Sequence, residues 1–231
     1  MNRINTGIPG LDEMLGGGVP ENNIVTVIGG FGNGKTTFAL QYLCTGLKQG
    51  EQCVYISLEE SESAILDTAR LYGWELAPFI EQRKLALLHL NAGDVKTSVI
   101  RIESELPSQL KAFGTKRLVI DSITLFEMLF DDVSDRRNRL FDLSRIIKGT
   151  GITAMLTSEA SHENPYQSRF GLVEYIADGV ISLRYIRPKD MKEVTLAIEV
   201  TKMRRTRHSR AIKPYSITDK GIVVHTESEV F

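Results

Sequence analysis

The chain has 231 residues, enough for one sizeable α/β domain with a full core. Its 42% hydrophobic and 25% charged residues are globular values, and its net charge of −1 gives no global attraction to nucleic acid or an anionic membrane. No apolar run approaches a membrane span, Met1–Asn5 carries no apolar signal segment, and no Cys/His cluster suggests zinc, so a soluble cytoplasmic protein without a membrane partner is expected.

Apolar strand-like runs recur at 24–29, 53–58, 85–90, 117–121, 152–157, 179–185 and 193–201. Two more, 214–217 and 221–225, flank the turn signal Thr218-Asp219-Lys220-Gly221. Helix-like segments lie between the first five runs, at 35–48, 61–72, 97–113 and 134–148, with Ser61 and Ser134 as expected N-caps. Alternating strand and helix predicts a parallel sheet covered on both faces, and the strand-rich last third predicts an antiparallel extension. No linker or repeat divides the chain, so residues 1–231 read as one domain. Cys44 and Cys53 fall in a helix and a strand, where small apolar residues fill core.

The first run, Ile24–Ile28, leads into Gly29-Gly30-Phe31-Gly32-Asn33-Gly34-Lys35-Thr36-Thr37. This fits G-x-x-x-x-G-K-[ST], followed by helix-forming residues. Glycines let backbone N–H groups wrap a triphosphate closely. Lys35 supplies an ammonium to the β/γ-phosphates, Thr36 offers a hydroxyl to Mg²⁺, and the helix N-terminus points at the anion. The alternative, an ordinary Gly-rich turn, does not require this order of strand, loop and helix.

Three further segments carry chemistry. Arg117-Leu118-Val119-Ile120-Asp121 is an apolar strand ending in a carboxylate, as a Walker B aspartate on the Mg²⁺ shell requires. Paired with the glycine loop, it outweighs a turn-capping role. Glu59-Glu60 follows Val54–Leu58 and can polarise water for attack on a γ-phosphate. Residue types leave that reading level with a solvated first helical turn. Lys202-Met203-Arg204-Arg205-Thr206-Arg207-His208-Ser209-Arg210 holds five cations and a histidine in nine residues. Three roles stand open for it: a grip on nucleic-acid phosphates, cations offered to a neighbouring subunit's nucleotide, and a solvated hairpin rim.

Together these motifs resemble the RecA-like P-loop ATPases, and within them the KaiC family. Thr6-Gly7-Ile8-Pro9-Gly10-Leu11-Asp12 through Gly16-Gly17-Gly18-Val19-Pro20 is similar to that family's lead-in. The resemblance implies Glu59 and Glu60 as catalytic water activators and Gly30–Thr37 as the phosphate loop. Lys202-x-Arg204-x-Thr206-x-His208 is similar to its K-x-R-G-T-x-H segment, with Arg205 at the usual Gly position. That segment, including Met203, would contact ATP across a subunit interface, with Lys202 and Arg204 at the γ-phosphate and Thr218-Asp219 at base and ribose. A homo-oligomeric ring, a hexamer, follows from the resemblance, with a regulatory protein partner of unspecified kind.

Two departures stand out. Glu174-Tyr175 precedes the Ala177-Asp178 turn where the autophosphorylating domains of the family carry hydroxyls, so hydrolysis is expected over autokinase activity. Ala160 follows Ser158-Glu159 where the family has Arg, whose role Arg169 could take. The runner-up readings are a RecA/RadA-type DNA-repair ATPase and a nucleotide-dependent binding module with little hydrolysis. The loop 160–169 holds a single cation, which disfavours DNA.

Overall fold

The computed structural model describes residues 2–90, 104–187 and 194–230. The first half contains β1 (Arg3–Ile4), α1 (Leu11–Met14), β2 (Val19–Pro20), β3 (Ile24–Gly29), α2 (Lys35–Lys48), β4 (Cys53–Ser57), α3 (Glu62–Leu71), α4 (Ala77–Glu81) and β5 (Leu85–His89). After it come α5 (Leu106–Phe113), β6 (Arg117–Asp121), α6 (Ile123–Glu127), α7 (Val133–Thr150), β7 (Thr153–Glu159) and α8 (Val173–Ile176). The chain closes with β8 (Gly179–Ile186), β9 (Thr195–Met203), β10 (Lys213–Thr218) and β11 (Gly221–Val224).

Among the described residues the main sheet has the order β11-β10-β9-β8-β3-β7-β6-β4-β5. The six strands from β8 to β5 run parallel. β9, β10 and β11 continue from β8 as an antiparallel extension. This is the expected RecA-like α/β arrangement. β3 shows why both faces must be covered, since all six of its residues are buried. Side chains alternate across a strand, so Val25 and Val27 pack with Phe38, Leu43 and Leu47 of α2. Ile24 and Ile28 pack on the other face with Leu140, Leu143 and Ile147 of α7.

Ser61 caps α3 as expected, accepting from the Ala64 amide at 3.3 Å. Ser134 does not cap α7. Asp132 does, accepting from the Asp135 amide at 2.9 Å, because an Asp three residues ahead of that amide makes the N-cap bond and draws the helix start back. β7 runs two residues beyond the expected 152–157 segment, to Glu159. Residues 97–103 of the expected helix and residue 193 of the expected strand lie outside the described residues. Cys44 and Cys53 are buried free thiols, both pushed by burial up to about 12. No helix among the described residues is long and apolar enough to cross a membrane.

Candidate nucleotide site

β3 ends at Gly29, level with Glu159 of β7 and Leu183 of β8. From there the chain loops into α2. Gly34 takes φ 79°, a left-handed conformation that side chains disfavour, and a Cβ on it would lie 2.7 Å from Ile217 Cδ1. The loop is pinned from beneath: Asn33 Nδ2 donates to the Leu183 carbonyl at 2.7 Å, and Tyr215 Oη donates to the Asn33 carbonyl at 2.7 Å. The first turn of α2 holds no acidic residue, so its free N–H groups and dipole favour an anion. Lys35 Nζ donates to the Gly30 carbonyl at 3.0 Å. Burial lowers its pKa, and the charges of Asp121, Glu159 and Glu59 oppose that shift.

Asp121 ends β6 two strands away and faces the same loop. Its Oδ2 accepts from Thr36 Oγ1 at 2.8 Å and from Tyr55 Oη at 2.6 Å, while Oδ1 accepts from Thr157 Oγ1. Tyr55 is held well above its ordinary range by burial and then by the Asp121 charge. Thr36 and Asp121 offer only oxygen donors, which suits a hard cation such as Mg²⁺. Among the described residues no group of three or more His, Cys, Asp or Glu could hold a metal alone. The pair therefore fits a cation whose remaining ligands are phosphate oxygens and water.

Lys35, Thr36, Glu59, Glu60, Asp121 and Glu159 line one cavity of about 170 Å³. Glu59 and Glu60 precede the N-cap Ser61, so they are not the first turn of α3. Glu59 is exposed and Glu60 is half-buried. Glu60 Oε2 is buried without a partner, and burial, then Asp121 and Glu59, raise that carboxyl's pKa. A larger cavity of about 490 Å³ lies across the loop, beside Phe31, His162 and Tyr185. It touches none of Lys35, Thr36, Glu60 or Asp121, which gather instead at the smaller cavity.

The hairpin of β10 and β11 docks beside the start of α2. Gln41 Nε2 donates to the Ile222 carbonyl at 3.1 Å, and the Ile222 amide donates to Gln41 Oε1 at 2.7 Å. This brings the Thr218-Asp219 turn to the loop end of the sheet. Thr218 Oγ1 donates across that turn to the Gly221 carbonyl at 2.9 Å. Thr37 Oγ1 and Tyr72 Oη lie 3.1 Å apart on the same side, and Tyr72 stacks on Trp74 at 4.9 Å.

The basic segment lies at the other end. β9 pairs Met203 with Gly179 and Lys202 with Val180, and Gly179 is level with Val25 near the start of β3. The loop leaves from Gly29, four residues further, or about 13 Å along the strand. Lys202, Met203, Arg204, Thr206 and His208 are thus not brought to this chain's own phosphate loop. The Met203 side chain is buried at Gly179. Thr206 Oγ1 accepts from Arg3, and His208 Nδ1 is buried without a partner. Arg205 has φ 61°, so the backbone keeps a conformation that suits glycine. Burial and the Arg204 charge lower the Lys202 pKa.

Three groups at the cavity were not singled out for it from the sequence. Tyr55 and Thr157 hold Asp121, and Glu159 lines the wall while pairing with Arg169 Nη1 at 3.0 Å. Polar residues inside strands that otherwise bury completely were the available signal.

The chain is similar along nearly its whole length to known proteins. A UPF0273 protein of Thermotoga maritima is 34% identical, over 97% of this chain and 96% of that protein. The circadian clock oscillator protein KaiC of Prochlorococcus marinus is 33% identical over 97% of this chain, which spans 45% of that longer protein. The crystal structure of a KaiC-like protein from Pyrococcus horikoshii OT3 superposes with a TM-score of 0.85 at 35% identity, covering 97% of this chain and 99% of the other. The family model "ATPase: KaiC" matches residues 4–229, and the chain belongs to that KaiC ATPase family.

Proposed function

We propose that the protein binds Mg·ATP and hydrolyses it slowly in a homo-oligomeric ring, a hexamer, with each nucleotide at a subunit interface. The observation that carries this reading is the division of the site. The phosphate loop with Thr36 and Asp121 sits at one end of the sheet, and Lys202 and Arg204 at the opposite end. One chain offers two incomplete halves, and head-to-tail neighbours in a closed ring complete them, one on each side.

In this reading the backbone of Gly30–Thr37 wraps the phosphates and Lys35 balances their charge. Thr36 and Asp121 would hold Mg²⁺, which when bound would supply positive charge to the phosphates. Glu59 and Glu60 orient the attacking water and accept its proton, with the unpartnered Oε2 of Glu60 available as an acceptor. Lys202 and Arg204 arrive from the neighbour to stabilise charge on the transferred phosphoryl group. Thr206, His208 and the Met203 backbone complete the neighbour's side. Thr218 and Asp219 contact base and ribose. The protein acts as a regulatory switch on a protein partner, a reading supported by its likeness to a clock oscillator protein.

The test is light scattering with and without Mg·ATP, with phosphate release assayed on the same samples. A hexamer whose release rises with assembly is expected. Arg204→Ala should retain nucleotide affinity and cut release by about 10³-fold, the scale of an arginine supplied in trans. Full activity in that variant, or hydrolysis by a monomer only when DNA is added, overturns the reading.

A further inference from the structure

β7 ends at the phosphate cavity, and β8, parallel to its neighbours, must begin at the opposite end of the sheet. The crossover from Glu159 to Asp178 therefore spans the two ends, and each of its fixed points touches one half-site.

At the cavity end, Glu159 pairs with Arg169 Nη1 at 3.0 Å, and the Arg169 amide donates to the Glu159 carbonyl at 2.8 Å. Ala160 bridges Ser168, and the Ser161 amide donates to the Gln167 carbonyl at 2.8 Å, closing residues 160–168 into a hairpin. Ser168 is 1% exposed. The Glu174 carboxylate clamps it twice, accepting from the Ser168 amide at 2.6 Å and from its hydroxyl at 2.8 Å.

At the far end, the same Glu174 offers its main-chain carbonyl to Lys202 Nζ at 2.7 Å, and Ala177 offers a second at 2.8 Å. An ammonium has three donors, so Lys202 keeps one for a phosphate. Arg204 Nη2 donates to the Tyr175 carbonyl at 3.3 Å, and its amide donates to the Asp178 carbonyl at 2.8 Å. Both cations are thus aimed by carbonyls of one short segment, 174–178.

We infer that Glu174 is a positioning residue: through Ser168 and the Glu159–Arg169 pair, it ties a subunit's own phosphate cavity to the Lys202 and Arg204 which that subunit presents to the next. The inference rests on the trans reading of those two cations. Glu159 lies close enough to Lys35 to bias its charge. A γ-phosphate that engages Lys35 repels Glu159 and shifts its balance toward Arg169. The hairpin, Ser168 and α8 carry that shift to the carbonyls under Lys202. Each subunit's nucleotide state then sets how well it serves its neighbour, and ATP hydrolysis around the ring becomes cooperative.

The experiment compares Ser168→Ala, Glu174→Ala, Glu174→Gln and Lys202→Ala for nucleotide affinity, mass with Mg·ATP, and phosphate release against ATP concentration. Glu174→Ala and Ser168→Ala should bind nucleotide within about twofold and assemble normally. Their kcat should fall about tenfold or more, and their Hill coefficient should move toward one. Glu174→Gln keeps an acceptor for the Ser168 amide and should recover most of kcat. Unchanged kcat and cooperativity in Ser168→Ala and Glu174→Ala, with Lys202→Ala impaired, overturns this inference alone. Full activity in Lys202→Ala overturns the trans reading and this inference with it. Should Glu174→Ala fail to fold, the single hydroxyl removed in Ser168→Ala still decides.

Discussion

Thr36 gives its hydroxyl to Asp121 at 2.8 Å, joining the first turn of α2 to the end of β6. The same carboxylate oxygen accepts from Tyr55 at 2.6 Å, so the orientation of Asp121 is set from two sides. On the proposed role, Tyr55→Phe should weaken the Mg²⁺-dependent part of ATP binding by about 10-fold, the lower range for losing an outer-shell partner. Thr36→Ala should weaken it further. Titration of a fluorescent ATP analogue with Mg²⁺ and with a chelator separates this loss from general damage, because chelator affinity should hardly change. Equal losses under both conditions would remove the metal role.

Much of this arrangement was legible in the sequence, for physical reasons. Parallel strands covered on both faces read as apolar runs, so β3 and β6 and the Asp121 that ends the latter were plain. Ser61 was expected as a cap and is one, whereas Ser134 was expected before α7 and the fold selects Asp132, two residues earlier. β7 passed unnoticed through Ser158-Glu159 because polar residues ended the apolar run while the ladder with Gly29 continued. The opposite placement of Lys202 and the phosphate loop follows from strand direction and register, which no spacing reports. Family likeness suggested an interface, and the register is the observation on which the proposed one rests.

Arg205 holds φ 61° at the position where the family segment carries glycine. An L-residue in that region costs about 1–2 kcal/mol. Glycine removes the strain and adds about 0.5–1 kcal/mol of chain entropy to be lost on folding. Arg205→Gly should therefore be neutral to stabilising, by up to about 1.5 kcal/mol, in a urea titration. A clear loss of stability would mean that the Arg205 side chain makes a contact outweighing the strain.

Arg117 is fully buried at the start of β6. It donates to the carbonyls of Asn5 at 2.9 Å and Tyr42 at 2.8 Å, to Gln49 Oε1 at 3.0 Å and to Glu51 at 2.5 Å, and it packs over the Tyr42 ring. It thereby ties the N-terminal segment to α2 and the sheet. Removing it strands several acceptors and leaves Glu51 without its cation. Arg117→Ala should cost about 3 kcal/mol, the lower end for broken buried pairs, because Glu51 keeps 26% of its side chain in solvent. Double replacement of Arg117 and Glu51 by Met should recover part of that, read as the midpoint of chemical unfolding. A loss below about 1 kcal/mol in the single variant would contradict the tie.

Glu127 ends α6 fully buried, and neither carboxyl oxygen has a partner. Burial first, and then the Glu174 charge from α8, raise its pKa from 4.5 to about 8, with Arg136 of α7 opposing. Arg136 gives its Nε to the Glu127 main-chain carbonyl, not to its carboxyl. The folded protein keeps the proton where the unfolded chain releases it. Stability from this group is complete below about pH 4.5, falls as pH rises toward 8, and is flat above. Within that window the slope reaches at most about 1.4 kcal/mol per pH unit. Glu127→Gln keeps shape and neutrality, so it should remove this slope and leave the variant more stable than the parent at pH 8 and similar at pH 5. Urea titrations of both proteins at the two pH values decide it. Parallel pH dependence in parent and variant would show that Glu127 is ionised in the fold and has found a partner there.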